Sequence, residues 1–322
     1  MVGTDARRRN AGSETLMEKT YLETVRLLLE IAPEVFRPGC FAMKGGTALN
    51  LFLHEMPRLS VDIDLVYLDH TKERAEALTE ISNALAAASR ELSQRGFETK
   101  LVGSKAGDEA KLLIRRADIL VKVEVNHVFR GTLLPVVRAG LSEAARKHFT
   151  LPSPLPVLAA PELYGGKIVA TLDRQHPRDL FDITVVQRHG GLTAETANCF
   201  VGYLAGHNRP IHEVLFSNDK DISAAFAGEF QGMTTAPVSL EVLVEGRARL
   251  RRELMEILTD NHKRFLLSLA TAEPEWNLMP FPHLRELPAV KWKLLNLTKL
   301  KRTNSEKFVQ QANDLKAGFA RG

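Results

Sequence analysis

Asp62 and Asp64 stand two apart in Val61-Asp62-Ile63-Asp64-Leu65-Val66, a stretch rich in β-forming residues. Strand side chains alternate, so both carboxylates share one face while Val61, Ile63 and Leu65 fill the other. Bare anions this close repel, and burying them costs on the order of several kcal/mol. A Mg²⁺ ion removes that cost, and Mg²⁺ commonly takes one or two carboxylates plus substrate phosphates. Taken alone, the pair is a weak signal, and a solvated strand face is the more common origin of such a pattern. Glu124 is a third candidate. In Ile119–Val128, Val121, Val123 and Val125 alternate with Lys122, Glu124 and Asn126. Next to the Asp62 strand, Glu124 would complete a three-carboxylate metal site. The alternative is an ion pair with Lys122 of a neighbouring strand or with another base.

Phosphate-handling candidates surround the acids. Gly45-Gly46-Thr47 opens an expected helix, Ala48–His54. Glycines let a backbone approach a phosphate, and a helix N-terminus offers free N–H groups. The hydroxyls of Thr47 and Ser60 would add hydrogen bonds; the bland reading is a turn and an N-cap. Lys167 lies within a helix opened by Pro161. It is not a Walker lysine, because Pro161 and Ile168 stand where that motif needs Gly and Ser/Thr. It would either neutralise a triphosphate or lie on the surface. Asp179 and Asp182 fall on one helix face, and Arg178 can pair with Asp182 at i, i+4.

The elements that must position these groups follow from periodicity. Glu14–Ile31 and Thr71–Arg95 carry apolar residues at helical spacing, with Pro33, Pro38 and Gly39 breaking the first and Gly96 capping the second. Phe41–Met43, Val61–Leu68, Phe97–Val102, Ala110–Arg115 and Ile119–Val128 read as strands. Pro152, Pro154 and Pro156 mark a boundary, and the rest is mainly helical, most clearly Val242–Leu269 and Val290–Leu300. We therefore expect an α+β chain: a polar, flexible tail over 1–13, a domain over 14–155 built on a small mixed sheet with helices on one face, and a helical domain over 156–322.

Composition limits the function classes. The chain has 322 residues, 44% hydrophobic and 25% charged, as in ordinary globular proteins. No apolar run reaches the ~18 residues that span a bilayer. The start holds Arg7, Arg8 and Arg9 with no apolar core behind them, so neither a secretory signal nor a membrane partner is expected, and the location is cytoplasmic. Two cysteines cannot build a zinc set or a disulfide framework. Net charge is +4, concentrated in residues 291–322, which hold eight Lys or Arg against two acids. That density suits a phosphate backbone, or else is a solvated helix face.

Together these residues resemble the AbiEii-type nucleotidyltransferases, toxins of type IV toxin–antitoxin systems that include the MenT toxins, in the DNA polymerase β-like superfamily. The resemblance runs through Lys44-Gly45-Gly46-Thr47-Ala48-Leu49 and Arg58-Leu59-Ser60-Val61-Asp62-Ile63-Asp64-Leu65, then Ile119–Asn126, Leu163–Lys167, Asp179–Asp182 and the segment around Phe281–Lys293. It implies a bilobal protein, with an N-terminal polymerase β-like lobe and a helical C-terminal lobe. It also implies nucleotide transfer from an NTP to an RNA 3′ end, with tRNA as acceptor and a block of translation as the result. Asp62, Asp64 and Glu124 would hold Mg²⁺, with Glu124 taking the 3′-OH proton. Gly45, Gly46, Thr47 and Ser60 would cradle phosphates, and Lys167 and Arg58 would offset their charge. Asp182 corresponds to the closing aspartate motif, with Asp179 an open alternative. Lys291, Trp292, Lys293, Lys299, Lys301 and Arg302 are the candidate RNA contacts. A toxin needs an antitoxin, expected from an adjacent gene.

Two other functions remain compatible with the same acids: transfer to protein or small-molecule hydroxyls, and an NTP-binding module without turnover. Ser60 is also a candidate regulatory phosphosite. A phosphate there would set about −1.5 to −2 charges beside the acids and repel both metal and NTP.

Overall fold

The computed structural model describes residues 4–103 and 109–321, and the side chains of 19–103 and 111–321. Seven strands form one mixed sheet: β1 Phe41–Lys44, β2 Ile63–Tyr67, β3 Glu98–Gly103, β4 Glu109–Arg116, β5 Ile119–Asn126, β6 Val137–Ala139 and β7 Leu155–Val157. Their order is β3-β4-β5-β2-β1-β7-β6. The β2–β5 and β1–β7 pairs are parallel, and the other neighbours are antiparallel.

Two helices, α1 Thr4–Phe36 and α3 Arg74–Gln94, pack against one face of this sheet. That face is apolar because of strand alternation: Ile63, Leu65 and Tyr67, and Val121, Val123 and Val125, are all fully buried under Leu27, Ile31, Ile81 and Leu85. Each such side chain contributes roughly 1.5–3 kcal/mol. The polar half of the same alternation points to the other face. That face carries the acids.

Several expectations shift. Helix α1 continues past Pro33 to Phe36, because Val35 and Phe36 are buried in the core and hold the last turn. At its other end it reaches back to Thr4, through most of the segment 1–13 expected as a tail; residues 1–3 lie outside the described residues. The boundary expected at 155/156 falls within β7, whose Val157 pairs with Met43 of β1. Strands β6 and β7 are three residues each, too short for a periodic signal.

After Gly45–Ala48 (α2) and a π turn over Leu49–Leu53, the chain reaches β2 by an irregular path. Helix α4, Glu143–His148, precedes β7. The C-terminal half is helical: α5 Ala160–Arg174, α6 Pro177–Arg188, α7 Ala194–Ala205, α8 Ile211–Leu215, α9 Ser223–Glu229, α10 Leu240–Ile257, α11 Asp260–Ala270, α12 Pro288–Thr303 and α13 Ser305–Arg321. It has its own core around Phe200, Phe265, Leu250 and Leu284. The stretch expected as one helix over Val242–Leu269 is two. Thr259 caps α11 by accepting from His262 N–H, which starts a second helix after the break at Leu258 and Thr259. Among the described residues, no helix is long and apolar enough to cross a membrane.

Candidate active site

Four strands align the charges. Register pairs Asp64 with Glu124 on parallel β5, and with Lys44 on antiparallel β1. Lys111 on β4 opposes Glu124 in turn. A row Lys44–Asp64–Glu124–Lys111 therefore crosses four adjacent strands on the face away from α1 and α3. Asp62 precedes β2, one step along the same face from Asp64, and the Lys122 ammonium lies 3.8 Å from it and 3.3 Å from Glu124. Lys111 is also 3.3 Å from Glu124. The alternative reading of Glu124 as an ion-paired strand acid is thus present in the structure, with both lysines.

Asp64 is the most buried of the three acids. Burial pushes its carboxyl up; Lys44 opposes this, while Asp62 and Glu124 add to it. Burial likewise pushes Lys44 down, against the pull of Asp64. Gly45 turns the chain beside Asp64 with a φ of +78°, and a Cβ there would lie 2.2 Å from Asp64 Oδ2. A Cβ on Gly46 would meet Arg58 Nη2 at 2.7 Å and Ser60 Oγ at 2.9 Å. The two glycines let the backbone pass between these side chains. Thr47 Oγ1 and Ser60 Oγ are 3.1 Å apart and share a hydrogen bond.

Behind the glycines lies a buried ionic network. Arg58 donates to Asp182 through Nε at 2.6 Å and Nη2 at 2.7 Å, and to the Leu59 carbonyl through Nη1 at 2.7 Å. Lys167 Nζ sits 2.9 Å from Asp182 and 3.0 Å from Asp179. Arg174 closes the chain at 2.8 Å from Asp179. Burial would raise the Asp182 carboxyl, but Lys167 and Arg58 outweigh it and hold it at about 2. Burial would lower the Lys167 ammonium, and Asp182 and Asp179 more than offset that. Both aspartates therefore serve Lys167. Arg178, expected to pair with Asp182, does not: Arg58 and Lys167 occupy that carboxylate. Arg58 is buried and fully engaged in joining the two halves, instead of lying open to a phosphate.

A cleft of about 700 Å³ runs between the sheet and the helical half. Lys44, Gly45, Gly46, Asp64, Lys167 and Arg174 line one end. At the other, Phe129 stacks on Tyr203 with ring centroids 4.3 Å apart, and His207, Asn208, Trp292 and Asn296 complete the wall. Glu162 is fully buried and accepts from Leu133 N, Leu134 N and Tyr203 Oη, so it ties the 129–134 loop to α5. The size suits a small ligand. Lys44, Arg174, Glu162 and Tyr203 were not among the expected site residues. Lys44 had a signal, a lysine directly before Gly-Gly; the others depend on long-range packing.

The candidate RNA contacts divide. Trp292 is 54% exposed at the cleft rim. Lys293, one residue on, is buried, and its ammonium donates to the His207 and Arg209 carbonyls. Burial lowers its pKa to about 8. Lys293 therefore cannot serve an RNA backbone as expected. Lys291 pairs with Glu286 at 2.9 Å and Lys301 with Glu273 at 3.2 Å, both exposed; Lys299 and Arg302 are exposed on the same helix.

As the side chains stand, Asp62, Asp64 and Glu124 do not converge on one point. Lys122 lies between two of them, and among the described residues no three acidic, His or Cys side chains form a group that could hold a metal ion. The donor set nevertheless fits a hard divalent cation: three carboxylates on one face, the most buried pushed up by burial and by its acidic neighbours.

A family model described as nucleotidyl transferase AbiEii toxin, type IV TA system, matches residues 26–296. The chain belongs to this family. The AbiEii assignment makes it a nucleotidyltransferase and a toxin, and a type IV system implies an antitoxin partner. MenT4, a nucleotidyltransferase toxin from Mycobacterium tuberculosis, has a similar fold, with a TM-score of 0.53 and 19% identity over 88% of this chain and 98% of that one. The fold class expected from the residues, α+β with a mixed sheet and a helical second half, is the one observed. No curated protein matches the sequence.

Proposed function

We propose that this AbiEii protein transfers a nucleotide from an NTP to the 3′ end of RNA, with tRNA as the acceptor, in a Mg²⁺-dependent reaction that blocks translation in the cytoplasm. The observation that carries this reading is the cleft itself. It gathers Asp64, with Glu124 beside it in register, and the cations Lys44, Lys167 and Arg174 at one end.

Asp62, Asp64 and Glu124 would hold the Mg²⁺. When bound, Mg²⁺ stabilises charge on the attacking and leaving oxygens. Lys44, Lys167 and Arg174 bind the triphosphate, with the Gly45 and Gly46 backbone close beside it. The aspartates behind Lys167 fix its position and keep it charged. A Glu124 carboxylate oxygen takes the proton of the acceptor 3′-OH; the 3′ oxygen bonds to the α-phosphorus, and pyrophosphate leaves. Trp292 and the exposed Lys291, Lys299, Lys301 and Arg302 of α12 contact the RNA, Trp292 by stacking a base at the rim. The antitoxin is expected from a neighbouring gene.

The test is incubation with labelled NTPs and total tRNA, with Asp64→Asn alongside. Label on tRNA in the wild type alone supports the reading. Label on protein or on a small molecule points to another acceptor, and NTP binding without pyrophosphate release points to a non-catalytic module. Regulation at Ser60 belongs to the same reading. Its hydroxyl adjoins Thr47 and Gly46, so a phosphate there would crowd the cradle. Ser60→Asp is expected to abolish labelling; full activity would remove the switch.

A further inference from the structure

The helical half covers only part of the acidic face of the sheet. The cleft lies over β2, β1 and the end of β7, where Asp64, Lys44 and Leu158 line it. The face continues across β5, β4 and β3, and register fixes which residues share it. Lys111 opposes Glu124 and Val102; Leu113 opposes Lys122 and Lys100; Arg115 opposes Leu120 and Glu98. The opposite face of the same strands is spoken for: Arg116 pairs with Glu30 of α1 at 2.7 Å and lies over the Phe97 ring. On the open face Lys100 and Arg115 are exposed, and among the described residues neither has an ion-pair partner. Lys122 and Lys111 are partly exposed and lead from them to Glu124. Four cations from three strands, interleaved with Val102, Leu113 and Leu120, thus spread over this face as far as the carboxylate beside Asp64.

We infer that this uncovered half of the sheet is the acceptor platform, on which Lys100, Lys111, Arg115 and Lys122 hold the phosphate backbone of an RNA strand. The inference rests on the nucleotidyl-transfer reading and deepens it. It places the acceptor opposite the covered, cationic end of the cleft, so the 3′-OH arrives at Glu124 from one side while the triphosphate lies on the other. That arrangement suits in-line displacement. Charge complementarity favours a polyanion at the outer part of the face: Lys111 and Lys122 are matched by Glu124 and Asp62, whereas Lys100 and Arg115 stay exposed with no ion-pair partner among the described residues and only Glu98 opposite them. Adjacency to the acids favours RNA over an acidic protein.

The test uses the full chain and a labelled single-stranded RNA carrying a tRNA 3′ sequence, with affinity measured across a salt series. The Lys100→Gln/Arg115→Gln variant removes two exposed cations far from the cleft. Folding is checked by its thermal midpoint, and Lys100→Arg/Arg115→Lys tests whether charge alone suffices. The glutamine variant is expected to bind about tenfold more weakly, with a salt slope shallower by roughly 1.4, from about 0.7 per phosphate contact on a single strand. The charge-conserving variant is expected to restore both values. Unchanged affinity and slope in a folded glutamine variant would overturn the platform, while a wild type that labels RNA would leave the transfer reading standing. Loss of polyglutamate binding with RNA binding intact would assign the face to an acidic protein and overturn it too. A wild type that binds no RNA would remove both.

Discussion

The guanidinium of Arg58 grips the carboxylate of Asp182 through two hydrogen bonds, 2.6 and 2.7 Å long, across 124 positions of chain. Both side chains are almost wholly buried, and Lys167 completes the cluster. Removing one partner of a buried pair leaves an uncompensated charge, at about 3–5 kcal/mol. Arg58→Met is expected to lose that much in urea unfolding. Arg58→Met/Asp182→Leu should recover part of it, because Lys167 keeps Asp179. A single variant within about 1 kcal/mol of wild type would show the pair to be dispensable.

Acid should loosen the same cluster. The Asp182 carboxyl is held at about 2 in the folded chain, against an ordinary value of 3.8. Between those values the unfolded chain binds more protons, so stability falls as pH falls. The contribution is fully present above about pH 5 and disappears toward pH 2, and is worth on the order of 2 kcal/mol. Unfolding free energies from pH 6 to pH 2 should fall less steeply in Asp182→Asn than in wild type.

Gly45 and Gly39 separate backbone strain from crowding. Their φ values are +78° and +76°, so alanine strains both by roughly 1–2 kcal/mol. Only at Gly45 does the added Cβ strike a side chain, Asp64 at 2.2 Å; at Gly39 it meets open space. Gly45→Ala is expected to weaken Mn²⁺ binding at least tenfold by calorimetry, with Gly39→Ala unaffected. Equal Mn²⁺ affinity in the two variants would dissociate Gly45 from the carboxylate proposed to hold the metal.

Trp292 and Lys293 are neighbours with opposite surroundings. Trp292→Ala should leave stability within about 0.5 kcal/mol and weaken RNA binding by roughly 1–3 kcal/mol through lost stacking. Lys293→Ala should destabilise the chain, because the His207 and Arg209 carbonyls lose their donor at about 1–3 kcal/mol. Thermal midpoints and RNA titrations on both variants distinguish the roles. A Trp292→Ala protein with full RNA affinity would move the base elsewhere.

Alternation along Ile63–Tyr67 and Ile119–Asn126 made the apolar and charged faces readable from residue order, because a strand's period is two whatever it packs against. The same local chemistry marked the Gly45-Gly46 turn, the lysine helix and the mainly helical second half. Nothing local could say that β5 runs parallel to β2 with Glu124 level with Asp64, or that β1 brings Lys44 to the other side. Pairing partners are chosen by the whole sheet. Nor could residue order place Arg58 on Asp182 in preference to Arg178, or separate Trp292 in the rim from Lys293 in the interior. Which charges meet is a property of three-dimensional packing, since burial makes an unpaired ion so costly that the fold must supply its partner from any distance along the chain.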